Sequence, residues 1–237
     1  MIIDNMMNLE LLTWAAREGG VPEFHDIAVA HASTTLRHHF RADSSCCHVV
    51  DYDVSTGEVR GRFTHQGLAD DSSWARGQAW ALYGYTMMFR ETRVPAYLAQ
   101  AVRIAEFILN HPTLPADKVP YWDFDAPAAP ETPRDSSAAA IICAGLLELT
   151  EFVPSEAADR YRAVAHQQLR VLASAEYRAE LAENGCFLLK HATGHMPHKS
   201  EVDAPLNYGD YYFLEALLRT RRQLTQADPR QQRGSRR

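Results

Sequence analysis

The residues best suited to chemistry lie close together in the stretch HQGLADDSSWARGQAWALYGY, at 65–85. Arg76 and Trp80 are four residues apart, so on a helix they share one face. An indole can stack on a sugar ring while a neighbouring guanidinium binds carboxylate or hydroxyl oxygens, and together they would hold a sugar acid. The alternative is a packed aromatic residue beside a snorkelling arginine. The spacing alone favours neither interpretation.

A second candidate is Asp4, in the opening stretch MIIDNMMNLELLTWAAREGG. One interpretation is that Asp4 caps the first helix, as the DDS stretch at 70–72 is expected to cap a later one. The other is general acid/base chemistry. Met6 and Met7 predict partly apolar surroundings, which would favour a protonated carboxyl group at this position.

Helical periodicity dominates the rest of the chain and must position these residues. The shorter extended pieces are CHVVDYD and EVRGRF, which flank VSTG and predict a β-hairpin, and the stretches VPYWDF and CFLLKHA. The predicted helices cover residues 5–18, 23–39, 73–91, 95–110, 136–151, 155–178 and 208–224.

Seven helices in pairs fit either an open α-solenoid or a closed toroid of helical hairpins. A solenoid should show a fixed repeat period, and the sequence shows no such self-similarity. The loops are unequal and carry the unusual polar and aromatic residues, which is typical of loops that build a site on a rigid scaffold.

Composition bounds the classes of protein that fit. The chain has 237 residues, 46% of them hydrophobic, so it suits one large globular domain. The net charge of −6 counts against a dedicated nucleic-acid binder. The longest apolar run, AAAIICAGLL at 138–147, is too short for a membrane span. The Arg-rich stretch 225–237 lacks a hydrophobic face and is predicted to be disordered.

The cysteines and histidines do not predict a metal site or a disulfide. Cys46 and Cys47 are adjacent, and neither they nor Cys143 and Cys186 form a CxxC pair, so all four are predicted to be thiols in a reducing compartment. Eleven histidines are present, but none lies in a zinc-binding spacing. No metal and no cofactor are expected, and we expect a cytoplasmic protein without a membrane partner.

Four stretches in order closely resemble glycoside hydrolase family 88, the unsaturated glucuronyl hydrolases, from residue 1 to about residue 222. They are IIDNMMNLELLTWA, HQGLADDSSWARGQAWALYGY, VPYWDFDAPAAPETPRDSSAAAI and VDAPLNYGDYYFLEALLR. The resemblance implies an all-α fold, the (α/α)6 barrel, of which residues 1–224 would form an incomplete part.

The resemblance also implies a reaction. Members of this family remove an unsaturated uronic acid from the non-reducing end of lyase-made oligosaccharides, by hydration of the C4=C5 double bond. Asp4 matches the general acid/base, which would protonate C4 and activate the water that attacks C5. His48, Gln66, Arg76 and Trp80 match positions lining the sugar subsite. Hydrogen bonding is expected from His48 and Gln66, carboxylate or oxyanion contact from Arg76, and stacking from Trp80.

Family members have a further section before the IIDNMMN motif, with more barrel helices and a second active-site aspartate. We therefore expect this chain to be part of a longer enzyme, with low activity by itself and with self-association through exposed barrel faces. Two alternatives stay open: an unsaturated rhamnogalacturonyl hydrolase, and a non-catalytic helical remnant or binding protein. The sequence does not predict the preferred oligosaccharide or its sulfation.

Overall fold

The computed structural model describes residues 1–227 and confirms a mostly helical chain with seven α-helices. A short 3-10 helix, Ile3–Asn8, precedes the first of them. The helices are α1 Leu9–Gly19, α2 Glu23–His38, α3 Ala75–Thr92, α4 Pro95–Asn110, α5 Ser136–Leu149, α6 Ser155–Leu172 and α7 Asn207–Ala227. α7 extends three residues into the predicted tail, and residues 228–237 lie outside the described part.

The helices pack in two layers that follow chain order. α1, α3, α5 and α7 form an inner row in which each helix contacts the next, and α2, α4 and α6 each pack against the two helices of that row that flank them in the sequence. α5 is buried from Ser136 to Leu149, as its uniformly apolar sequence requires. α3 is buried from Ala75 to Met88. These two helices form the centre of the hydrophobic core.

A charged network crosses the four inner helices. Arg90 of α3 pairs with Glu10 of α1 and with Glu148 of α5. Arg219 of α7 pairs with Glu148 and with Glu215, so one buried carboxylate lies between two arginines. A charge this deep in a protein is tolerated only when it is paired.

Two antiparallel hairpins lie in the loops. The predicted hairpin is confirmed as β1, Val49–Tyr52, paired with β2, Val59–Phe63. A second hairpin pairs β3, Ala192–His195, with β4, Ser200–Ala204. The sequence did not predict this second hairpin.

One helical prediction needs correction. α6 ends at Leu172, not at 178, because the chain turns back so that Arg178 can pair with Leu189. The stretches VPYWDF and CFLLKHA, predicted to be extended, form isolated bridges, and Ala192 at the end of the second stretch begins β3. Tertiary pairing outweighs local propensity at these positions.

The row of inner helices is open between α1 and α7, which share no extended contact within the described residues. Both helices expose large apolar side chains. On α1 these are Leu11 and Trp14, and on α7 they are Leu214, Leu217, Leu218 and Leu224. Among the described helices, none combines the length and the apolar composition that crossing a bilayer would need.

Candidate active site

Backbone pairing places Asp4 next to the first hairpin. Ile2 forms a bridge with Val49, and the Ile3 amide donates to the carbonyl of His48 at 3.0 Å. Ile3 and Met6 are completely buried, which anchors the 3-10 helix on the core. Asp4 lies between these anchors, with its side chain 28% exposed.

A glycine of α3 permits the close approach of this 3-10 helix. A Cβ atom on Gly84 would lie 2.6 Å from the Cβ of Met6, far inside an ordinary carbon–carbon contact. The two backbones can therefore touch only because residue 84 has no side chain. This contact sets the depth of Asp4 relative to α3.

The Asp4 carboxylate faces a buried histidine. Its Oδ2 atom lies 3.5 Å from Nε2 of His48, whose side chain is only 2% exposed. Oδ2 is itself buried and has no hydrogen-bond partner among the described residues. The pair is therefore close enough for a modest shift, or a bound water, to complete a hydrogen bond.

The tautomer of His48 follows from its other nitrogen. Nδ1 accepts from the backbone amides of His65 and Gln66, at 3.1 and 3.2 Å. An acceptor nitrogen carries no proton, so the neutral ring bears its hydrogen on Nε2, directed at Asp4. The ring also packs on Trp74 with a centroid separation of 4.5 Å. His48 is thus held as a donor toward Asp4.

The loop that supplies those two amides is anchored by a buried carboxylate. Oδ2 of Asp123 accepts from the Leu68 amide at 2.9 Å and from the Ser72 hydroxyl at 2.7 Å. Asp123 is completely buried, and this burial raises the pKa of its carboxyl group. A Cβ atom on Gly67 would lie 2.5 Å from the Thr64 hydroxyl and 3.1 Å from the same carboxylate, so the loop has no room for a side chain there.

Arg76 is not among the residues that line the cleft with Asp4, and its guanidinium is held by partners on other elements. Nη1 donates to Oδ2 of Asp135 at 2.8 Å, and Nη1 and Nη2 also donate to the carbonyls of Thr193 and Gly194. The side chains of Arg76 and Asp135 are 2% and 0% exposed. Burying an unpaired charge costs several kcal/mol, so the guanidinium reaches sideways to Asp135 although residue 76 shares a helical face with Trp80.

Asp135 serves two purposes at the start of α5. Its Oδ1 caps the helix by accepting from the Ser137 and Ala138 amides, and its Oδ2 takes the ion pair. Gln66 lies above this pair, and its side-chain amide donates to the carbonyl of Gly194 at 2.8 Å. Gln66 and Arg76 therefore both hold the β3 strand against the site.

Trp80 does share a cleft with Asp4. The cleft has a volume of about 420 Å³ and is lined by Asp4, Met7, Trp80, Asn207, Tyr208, Tyr211 and Tyr212. Trp80 is 7% exposed and meets Tyr208 and Tyr212 edge-on, with centroids 5.8 and 5.4 Å away. His48, Gln66 and Arg76 do not line the cleft and form a hydrogen-bonded layer behind it.

Several residues of the site were not predicted from the sequence. Asp123 and Asp135 were not singled out, although an aspartate before the apolar run SSAAAII is an N-cap signal. The tyrosines of α7 were also missed, although Tyr208, Tyr211 and Tyr212 have the i, i+3, i+4 spacing of one helical face. Within residues 1–227, no group of three or more His, Cys, Asp and Glu side chains could hold a metal ion. The four cysteines are free thiols.

A row of helical hairpins with an acidic residue in an aromatic-lined cleft fits the incomplete (α/α) barrel that the sequence resemblance implies. No protein-family model matches the chain. It is 51% identical over 219 residues to the unsaturated glucuronyl hydrolase of Formosa agariphila. It is 37% identical over 221 residues to the unsaturated chondroitin disaccharide hydrolase of Streptococcus pyogenes serotype M1. Each match covers 92% of this chain.

The comparison with solved structures gives the same relatives. A crystal structure of an unsaturated glucuronyl hydrolase specific for heparin matches with a TM-score of 0.92 and 49% identity, over 95% of this chain. The chain is therefore a close homologue of part of the unsaturated glucuronyl hydrolases of glycoside hydrolase family 88. It spans 54% of the Formosa enzyme, 55% of the Streptococcus enzyme and 60% of the heparin-specific chain.

Proposed function

We propose that this chain carries a site for hydrolysing unsaturated glucuronyl oligosaccharides by hydration of the C4=C5 bond. The observation that carries this proposal is the Asp4–His48 pair at the edge of an aromatic-lined cleft. The names of the relatives, unsaturated glucuronyl hydrolase and unsaturated chondroitin disaccharide hydrolase, support the same substrate class.

In this proposal Asp4 supplies the proton and then activates water. The protonated carboxyl group gives its proton to C4, and the resulting carboxylate accepts a proton from the water that adds to C5. The hemiketal formed at C5 opens, and the bond to the leaving sugar is lost. Nε2–H of His48 orients the carboxylate, so that one lone pair stays directed at the substrate.

The other predicted residues act around this centre. Trp80 offers the cleft an indole fixed by two tyrosines, which suits stacking on the uronate ring. Gln66 and Arg76 are proposed to hold β3 in place, because both donate to the carbonyl of Gly194. Direct contact of His48, Gln66 or Arg76 with the sugar remains a prediction from the family resemblance.

The test introduces Asp4→Asn into the longer enzyme that the resemblance implies, because low activity is expected of the 237-residue chain alone, and compares both forms on unsaturated disaccharides. Loss of the ultraviolet absorbance of the C4=C5 bond reports hydration. Asp4→Asn retains the shape of the side chain but cannot donate a proton, so at least about a hundredfold loss of turnover is expected. Equal turnover by the two chains would exclude Asp4 from the mechanism.

Two further parts of the proposal need their own measurements. A rhamnogalacturonyl disaccharide in the same assay separates the glucuronyl activity from the alternative activity, and it is expected to be the poorer substrate. Cell fractionation would test the expected cytoplasmic location, which remains a prediction.

A further inference from the structure

Two contacts fix the backbone near His48 and the plane of its ring. Gln78, a completely buried residue of α3, clamps the chain two residues earlier. Its Oε1 accepts from the Cys46 amide at 2.8 Å, and its Nε2 donates to the Cys46 carbonyl at 3.1 Å. The ring of His48 packs on Trp74. These contacts do not determine which edge of the ring faces Asp4, or which ring nitrogen carries the proton.

The loop of residues 64–72 determines both. The amides of His65 and Gln66 converge on Nδ1 of His48. A half-turn of the ring about its Cβ–Cγ bond would place a carbon atom against these two donors, and the other tautomer would place an N–H group against them. Both arrangements would leave the amides without an acceptor. The arrangement that satisfies them directs Nε2–H at Asp4.

Asp123 joins this loop to a distant part of the chain. It lies 51 residues after Ser72, is completely buried, and accepts at Oδ2 from the Ser72 hydroxyl and the Leu68 amide. Leu68 lies two residues after Gln66, so this contact fixes the backbone close to the two amides that bind His48. A buried carboxylate holds its donors firmly, because neither partner can exchange it for water.

We propose that Asp123 is a positioning residue for the proposed reaction. By holding the loop it keeps Nδ1 of His48 an acceptor, and so keeps Nε2–H directed at the Asp4 carboxylate. Asp123 does not line the cleft, so it acts only through the loop and His48. This inference rests on the proposed function, because it requires that His48 orients Asp4 for proton transfer.

The experiment uses the longer enzyme in which Asp4→Asn is tested, labelled with nitrogen-15 histidine. Nuclear magnetic resonance of the imidazole nitrogens reports which nitrogen of each ring carries the proton, and the signals that disappear in His48→Gln are those of His48. Steady-state kinetics on an unsaturated disaccharide gives kcat and KM separately. A residue that only supports the fold would not change the tautomer of one histidine.

Three variants remove the anchor in steps. Asp123→Ala removes all of its contacts, and Ser72→Ala removes the hydroxyl contact alone. Asp123→Asn retains one side-chain oxygen, whereas the aspartate uses both, since Oδ1 accepts from the Asp125 amide at 3.0 Å. Asp125→Ala is the matched control, because this exposed carboxylate binds the amide of Ser73, beyond the end of the loop.

Asp123→Ala is expected to lower kcat by roughly tenfold to hundredfold and to leave KM within about threefold, because it disorients the proposed acid/base without removing a sugar contact. The His48 ring should then show a mixture of tautomers. Asp123→Asn and Ser72→Ala should change kcat and the tautomer in the same direction by smaller factors. Asp125→Ala should match the wild type in both measurements.

An unchanged His48 tautomer in a folded Asp123→Ala variant would overturn this inference, and so would a changed tautomer with wild-type kcat. Either result would leave the role of Asp4 standing. If Asp123→Ala fails to fold, wild-type kcat in both Asp123→Asn and Ser72→Ala would overturn the inference instead. Wild-type turnover by Asp4→Asn would refute the proposed function itself.

Discussion

Gly84→Ala is expected to move Asp4, the proposed general acid/base, without unfolding the protein. The added Cβ would lie 2.6 Å from the Cβ of Met6, whereas carbon atoms normally approach to about 3.5–4.0 Å. The 3-10 helix must therefore move away from α3 by about 1 Å. Asp4 lies two residues from Met6 and moves with it.

The expected effects on rate and on stability differ in size. A displacement of about 1 Å at a catalytic group costs on the order of a hundredfold in rate. Overpacking costs about 1–3 kcal/mol of unfolding free energy, while alanine in a helix regains about 1 kcal/mol relative to glycine. The net loss of stability is therefore about 0–2 kcal/mol, which leaves a chain of this size folded.

The assay pairs turnover of an unsaturated disaccharide with thermal unfolding followed by circular dichroism. Gly19→Ala is the matched control, because an added Cβ at the end of α1 meets nothing within 4 Å. It should retain wild-type turnover. If Gly84→Ala melts near the wild type and also turns over substrate at the wild-type rate, the contact with Met6 does not position Asp4.

Three further predictions follow from buried charge and exposed apolar surface. His39 is fully buried, and burial lowers its pKa to about 4, so its folded form binds fewer protons than the unfolded chain between about pH 4 and pH 6.5. Stability should fall by up to roughly 3 kcal/mol as pH drops through this window, and His39→Gln should flatten the dependence measured by urea unfolding. Asp135→Asn leaves the Arg76 guanidinium buried without its counter-charge, so the free energy of unfolding should fall by about 3–5 kcal/mol, although asparagine can still cap α5. A fall below about 1 kcal/mol in urea titrations would contradict this. Self-association through the apolar faces of α1 and α7 should appear in light scattering at micromolar concentration. It should weaken in a Trp14→Lys, Leu218→Lys double variant, and a monomeric wild-type chain would exclude it.

The helices could be predicted from the sequence because their apolar residues recur with helical spacing, and α5 shows how far such a pattern reaches. Its run of alanine, isoleucine and leucine predicts a helix buried on all sides, and all fourteen residues are buried. The second hairpin could not be predicted in the same way. Within β4, Glu201 and Asp203 adopt positive φ angles of 54° and 53°, which are uncommon for residues other than glycine and lie outside the usual strand region.

The residues of the candidate site also differ in whether the sequence could predict their positions. The position of Trp80 in the cleft was predicted from the family resemblance, because its i,i+4 spacing from Arg76 left sugar stacking and core packing equally open. The partner of Arg76 was not, because Asp135 lies 59 residues further along the chain. Helical spacing determines the face of the helix on which a side chain lies. It does not say which distant carboxylate a long, flexible arginine will reach.

The charged network around Arg90 and Arg219 affects how the chain unfolds. In a stacked array of helical hairpins each unit touches only its neighbours, so the ends can fray while the middle stays folded. Here Arg90 pairs with Glu10 of the first helix and with Glu148 of the fifth, and Glu148 also pairs with Arg219 of the last. Fraying of α7 would leave the buried Glu148 with one arginine instead of two, and fraying of α1 would take one carboxylate from Arg90. The row of helices should therefore unfold as a single cooperative unit, with α1 and α7 losing structure at the same denaturant concentration.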